Sequence, residues 1–243
     1  MAVDEALLAS VRQGGPPTLR FYRWSPACLS LGRNQPARGK YDLDAICIRG
    51  LDVVRRLTGG RAVLHDRELT YSVTMPDGLL GSPRAAYATI NRALAAGLRR
   101  LGVPVALAPR TPHRVPAPSL APCFKEPVEG EITVGRRKLI GSAQYREGGA
   151  TLQHGSLLLE GDQGEVLSLL QEPESGAEST AFVTLAMFCD PLPSWETLTA
   201  ELAAGWEEPL GVGLCPNPLS AREQQCAGRL AVLYGAPAWT WHQ

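Results

Sequence analysis

Between Leu69 and Met75 the chain reads LTYSVTM, with Leu69, Tyr71 and Val73 alternating with Thr70, Ser72 and Thr74. Successive side chains of a strand point to opposite faces, so this spacing predicts an antiparallel sheet with one packed face and one polar face. A second strong pattern follows. Ser82-Pro83 supplies an N-cap and a first-turn proline, and Tyr87, Ile90, Leu94, Leu98 and Leu101 then recur at helical intervals until Gly102.

The remaining segments extend this picture. MAVDEALLASV has helical spacing, with Val3, Ala6, Leu7 and Val11 on one face. LRFYRW and ACLSLG read as strands separated by the Ser25-Pro26 turn, and LDVVRR and RAVLH as strands hinged at Thr58-Gly59-Gly60. VPVAL is a short strand. The stretch from Gly130 to Glu160 reads as three strands turned at Gly135 and at Gly148-Gly149. Helices are expected over 164–170, 194–208 and 220–234, the last opened by a capping box of Ser220 and Glu223. Strand runs and helix runs are segregated, which predicts an α+β fold of mixed, largely antiparallel sheets packed with helices. We expect a single catalytic domain over 1–243, with 194–243 a helical segment packed on it.

Composition excludes several classes. Lysine plus arginine balances aspartate plus glutamate at 24 each, so no global field marks a nucleic-acid binder. The six cysteines stand at 28, 47, 123, 189, 215 and 226, with no CxxC pair, which argues against a zinc or thioredoxin-type site. No secretory signal opens the chain and no apolar run is long enough to span a bilayer, so the expected location is cytoplasmic, with reduced thiols and no membrane partner.

Four places hold candidate chemistry. RRLTGGRAVLHD sets Arg55, Arg56, Thr58, Gly59, Gly60 and His65 around a glycine turn, where a backbone can approach a ligand closely. A tight turn with solvated arginines is the plain alternative. GRRKLIGSAQ places Lys138 just before the small residues Gly141, Ser142 and Ala143, which leave room for a ligand tail on a sheet; the alternative is a strand with a snorkelling lysine. His154 in LQHGSLLL faces the same choice between pocket and structural roles. Cys123 ends a proline-dense loop that can form neither helix nor central strand. A nucleophilic thiol needs access, a cationic neighbour and a fixed position, and Lys138 would be that neighbour if the loop folds back; otherwise Cys123 is an inert loop residue.

Together, RRLTGGRAVLHDRELTYSV, GRRKLIGSAQYREGGATLQHGSLLLE and FYRWSPACLSLGRNQ resemble the blocks of the lipoate and biotin protein ligase family, from the first residues to about Leu159. The pairing of ELTYSV with CFKEP resembles the family's cysteine-dependent octanoyltransferases rather than its ATP-using ligases. The resemblance implies a ligase-type catalytic fold and a catalytic pair of Cys123 and Lys138, the cysteine carrying an acyl-thioester. It implies a substrate slot formed by Arg55, Arg56, Thr58, Gly59, Gly60, His65, Gly141, Ser142, Ala143 and His154. It further implies octanoyl-acyl carrier protein as donor, a lipoyl-carrier protein (glycine cleavage H protein or a dehydrogenase E2 lipoyl domain) as acceptor, and no ATP, metal or other cofactor. An ATP-dependent lipoate ligase, an octanoyl amidotransferase between lipoyl domains and a non-catalytic acyl-carrier-binding protein are the competing expectations.

Overall fold

The computed structural model describes residues 1–109, 129–172 and 182–242. The proline-dense loop with Cys123 therefore lies outside the described residues. The main sheet is built from β1 (Thr18–Tyr22), β5 (Glu68–Pro76), β9 (Ala150–Leu158), β8 (Arg137–Glu147), β7 (Ile132–Val134) and β6 (Ala106–Leu107), in that spatial order and antiparallel throughout. A second sheet has β2 (Cys28–Leu31) at its centre, parallel to β3 (Asp52–Arg55) and antiparallel to β4 (Val63–His65). LRFYRW and ACLSLG are thus neighbours in sequence but members of different sheets. Every residue of β2 is buried, as befits the middle strand of a covered sheet.

β5 departs from expectation. Leu69, Tyr71, Val73 and Met75 enter the main core against α3 (Pro83–Arg100), as the alternation predicts. Thr70, Ser72 and Thr74, expected on an open polar face, are buried as well. The cause is α1 (Ala2–Arg12), which lies over that face. Its inner stripe is Asp4, Leu7, Leu8 and Val11 at i, i+3, i+4 and i+7, with Ala6 also buried and Val3 only half-buried. A carboxylate sits on an inward face because the hydroxyl side of β5 offers it donors: Ser72 Oγ donates to Asp4 Oδ1 at 2.8 Å.

The helix over 83–100 starts as predicted, with Ser82 Oγ accepting from the Ala85 amide. Ile90, Leu94 and Leu98 are wholly buried, each worth about 1.5–3 kcal/mol of removed apolar surface. α4 (Trp195–Leu210) comes very close to α3 because glycines meet at the crossing: a Cβ on Gly97 would lie 2.6 Å from the Glu201 carbonyl oxygen. α5 (Ala221–Tyr234) carries the predicted capping box and packs on α1. α2 (Leu43–Ile48) and α6 (Pro237–Thr240) flank the smaller sheet. The segment expected as a helix over 164–170 is instead a 3-10 turn, Gln163–Leu169. The Gln163 side chain pins it to the edge of β4, accepting from Leu64 N at 3.1 Å and donating to Leu64 O at 2.6 Å. Among the described residues no helix is long and apolar enough to cross a membrane.

Candidate active site

The two sheets meet along a buried polar seam, and most of the residues singled out from sequence lie on it or beside it. Arg56 closes the glycine turn from beneath: Nη2 donates to the carbonyls of Gly59 (3.0 Å) and Arg61 (2.7 Å), while Nη1 donates to Ser30 O and Ser30 Oγ. Gly60 has φ +102°, and a Cβ there would lie 2.8 Å from Arg56 Nη2, so the turn needs glycine at this position. Gly59 faces open space and is exposed. Thr58, wholly buried, joins Oγ1 to His154 Nε2 at 2.7 Å and so ties the turn to β9 of the main sheet.

His154 continues the seam, its Nδ1 standing 3.6 Å from Asp4 Oδ2. Burial pushes the His154 imidazolium towards its neutral form, against the pull of Asp4. Burial would raise the Asp4 carboxyl, yet His154 and Arg20 hold it well below the usual range. Asp4 also accepts from Arg20 Nη1 (2.7 Å) and from Tyr22 OH (2.8 Å). His65 forms a parallel link, with Nε2 2.8 Å from Ser30 Oγ and Nδ1 3.2 Å from Ser156 Oγ. It stacks on Trp24 at 4.4 Å, and a cavity of 260 Å³ opens beside them, walled in part by Glu68, Arg23, Leu159 and Leu192.

The small-residue run lies next to this seam on β8. Gly141, Ser142 and Ala143 pair with Ser156, Gly155 and His154. Ser142 accepts from Tyr71 OH at 2.7 Å, and Gln153 Nε2 donates to the same phenol oxygen at 2.8 Å. This crossing is possible because residue 155 is glycine: a Cβ would stand 2.3 Å from Gly141 O and 2.8 Å from the Tyr71 ring.

Lys138 is buried, not snorkelling. Its Nζ lies 2.6 Å from Glu131 Oε1, with both side chains almost wholly enclosed. The register passes from Ile132 opposite Ile140 to Thr133 opposite Lys138, so β8 carries one extra residue, Leu139, as a bulge. Leu139 and Ile140 both join the main core.

Arg56, Thr58, His65 and His154 are therefore gathered on one seam, with Gly59, Gly60 and Gly141–Ala143 beside it. Arg55 is not gathered with them. Its guanidinium donates to the carbonyls of Gly32 (2.6 Å), Gln35 (2.8 Å) and Thr240 (2.9 Å), the last on α6. Neighbours on a strand face opposite ways, which separates the two arginines. Sequence reasoning missed Asp4, Ser30, Glu131 and Ser156. Asp4 had a signal, since positions 4, 7, 8 and 11 form a better helical stripe than the one starting at Val3. Glu131 was one of two acids in VEGEI, and nothing local distinguishes it from Glu129.

Known proteins resemble this chain in sequence and in fold. Residues 1–186 match the lipoyl protein ligase A/B catalytic domain. An octanoyltransferase LipM of Kyrpidia tusciae is 40% identical over 100% of this chain and 94% of its own length. One from Symbiobacterium thermophilum is 41% identical over 98% of this chain and 92% of its own. Among solved structures, a lipoate-protein ligase A bound with ATP superposes with a TM-score of 0.80 at 27% identity, over 99% of this chain and 92% of that one. A bipartite lipoate protein ligase of Thermoplasma acidophilum, described with its E2 lipoyl domain, gives 0.78 at 26% identity over 99% of this chain and 89% of that one. The chain belongs to the lipoyl protein ligase A/B catalytic-domain family.

Proposed function

We propose that this chain, an octanoyltransferase of protein lipoylation, moves the octanoyl group through a thioester on Cys123. The Cys123 thiolate attacks the carbonyl of octanoyl-acyl carrier protein; a new C–S bond forms, and the carrier leaves as a thiolate that takes up a proton. A lysine amine of a lipoyl-carrier domain then attacks the acyl-enzyme, forming the amide and passing a proton to the departing Cys123 sulfur. One thioester replaces another in the first step, so no ATP is used. Lys138 stabilises the thiolate and the oxyanion with its positive charge. The glycine turn and Gly141–Ala143 line the acyl slot, framed by Arg56, His65 and His154. Each methylene buried there contributes about 0.8 kcal/mol, which gives finite selectivity for chain length. Arg33, whose amide donates to Thr58 O, and Arg61 flank the turn and suit an acidic carrier.

The observation that carries this reading is the enclosed Lys138 on the strand that also bears the small-residue run. The octanoyltransferase relatives, alike over nearly their whole length, support the donor chemistry. The T. acidophilum ligase described with an E2 lipoyl domain supports the acceptor class. The test offers a lipoyl domain with either octanoyl-acyl carrier protein alone or free octanoate plus ATP. Product in the first arm only is expected. Product in the second arm only would make the protein a ligase, and transfer only from an acylated lipoyl domain would make it an amidotransferase. Binding of acyl carrier without any transfer would leave a non-catalytic role.

A further inference from the structure

We infer that Asp4 is a positioning residue for octanoyl transfer: from α1 it fixes which ring nitrogen of His154 carries the proton, and so the direction of the hydrogen bond that ties the glycine turn to β9. This rests on the reading above that the turn lines the acyl slot.

Asp4 and His154 are both enclosed, with side-chain exposures of 1% and 6%. Leu7, Leu8 and Val11 share the inner face of α1 with Asp4, and a carboxylate in such company is costly unless it is paired. Asp4 Oδ1 accepts from Arg20 Nη1 and Ser72 Oγ, and Oδ2 accepts from Tyr22 OH. Burial favours the neutral acid, but His154, the Met1 amino group and Arg20 hold the carboxyl ionised, so both oxygens are acceptors. His154 presents Nε2 to Thr58 Oγ1 at 2.7 Å. Its Nδ1 is buried without a hydrogen-bond partner, and Asp4 Oδ2 stands 3.6 Å away. Burial, helped by the Arg56 charge, keeps the ring neutral against the pull of Asp4.

These facts fix the protons. A neutral imidazole has one N–H and one lone pair. With the lone pair on Nδ1, two buried acceptors would face each other; with the proton there, the N–H points at the carboxylate. The second arrangement is favoured where the surroundings are of low polarity, and the neighbour of one ring nitrogen sets the state of the other. Nε2 then accepts, so Thr58 Oγ1 donates. The Thr58 hydroxyl proton is committed to the ring, and its carbonyl accepts from Arg33 N at 2.9 Å, so the chain enters Gly59-Gly60 from a fixed point. Asp4→Asn reverses the sequence: the amide nitrogen donates to Nδ1, the ring proton moves to Nε2, and Thr58 becomes the acceptor with its own proton left over.

The chain has four histidines, at 65, 113, 154 and 242, so the His154 ring can be followed by NMR of nitrogen-labelled histidine and assigned by its absence from His154→Phe. Long-range proton–nitrogen correlations distinguish the two neutral tautomers and the imidazolium. Wild type should show Nδ1–H and Asp4→Asn should show Nε2–H. In Asp4→Asn the KM for octanoyl-acyl carrier protein should rise by roughly two- to tenfold, the equivalent of one neutral hydrogen bond, with kcat little changed. Ser72→Ala removes a donor to Asp4 but keeps the charge, and should retain both Nδ1–H and the wild-type KM. Nε2–H or an imidazolium in wild type overturns the inference. So does a switched tautomer with an unchanged KM, or an equal rise in KM in Ser72→Ala with the tautomer retained. Should Asp4→Asn not fold, tautomer and KM should stay or change together in Asp4→Glu, and a change in one alone overturns the inference. An unchanged KM in Thr58→Val removes the reading of the turn as the acyl slot, whatever the ring does.

Discussion

Thr58→Val tests whether the bond between glycine turn and main sheet holds the site together. Thr58 Oγ1 and His154 Nε2 are 2.7 Å apart and both buried. Valine keeps the branched shape and removes the hydroxyl. The lost bond costs about 0.5–1.5 kcal/mol net, and a ring nitrogen stranded without water costs about 1–3 kcal/mol. The imidazole is held neutral by burial, so no charge-assisted bond enlarges the figure. A loss of about 2 kcal/mol is expected, which for a chain of this size lowers Tm by roughly 4–8 °C. Thr58→Ser keeps the hydroxyl and should lose less than half as much. The assay is urea denaturation of wild type, Thr58→Val, His154→Phe and the double variant. A coupling of about 1–2 kcal/mol is predicted, because residues sharing a bond are not additive. Octanoyl transfer should fall in Thr58→Val, as the turn loses its tether to β9. A variant within about 0.5 kcal/mol of wild type, or additive losses in the double variant, would refute the reasoning.

Other outcomes follow from the same geometry. Gly155→Ala places a methyl group 2.3 Å from the Gly141 carbonyl oxygen; β8 must move, and a loss of about 1–3 kcal/mol with reduced transfer is expected, read by denaturation and by product mass. His154 and Asp4 both titrate below their ordinary values of 6.5 and 3.8 in the fold. The unfolded chain therefore binds more protons, so their contribution is complete above pH 6.5 and is lost as pH falls, His154 first and Asp4 later. Urea midpoints measured from pH 8 to pH 4 should decline, with a shallower decline between pH 7 and 5 in His154→Phe; a flat or rising profile there contradicts the assignment. Burial pushes the Cys28 thiol up to about 12. Iodoacetamide at pH 8 should leave Cys28 unmodified until denaturant is added, and labelling in the native protein would show that β2 is open.

Much of this architecture was readable from local patterns. The helix over 83–100, the three strands after Gly130 and the capping box at Ser220 rest on caps, turns and periodicity, which are short-range physics. The polar face of β5 was misjudged because a hydroxyl row looks the same whether water or a helix covers it. Only the placement of α1, with Asp4 turned inward, decides between them. The assignment of β1 and β2 to different sheets is likewise a long-range outcome that adjacency hides. At the site, the motif residues were visible individually, but Arg55 and Arg56 could be told apart only by what each face meets. Glu131 was invisible for the same reason: its partner is seven residues away across a bulge.

The central claim is a covalent octanoyl-enzyme on Cys123. Wild-type protein and its Cys123→Ser variant are mixed with octanoyl-acyl carrier protein, quenched in acid and weighed intact, with the modified peptide then sequenced by mass. The account predicts one octanoyl group on wild type, located at Cys123, absent from the variant and discharged when a lipoyl domain is added. Transfer to the lipoyl domain by Cys123→Ser at the wild-type rate would contradict it.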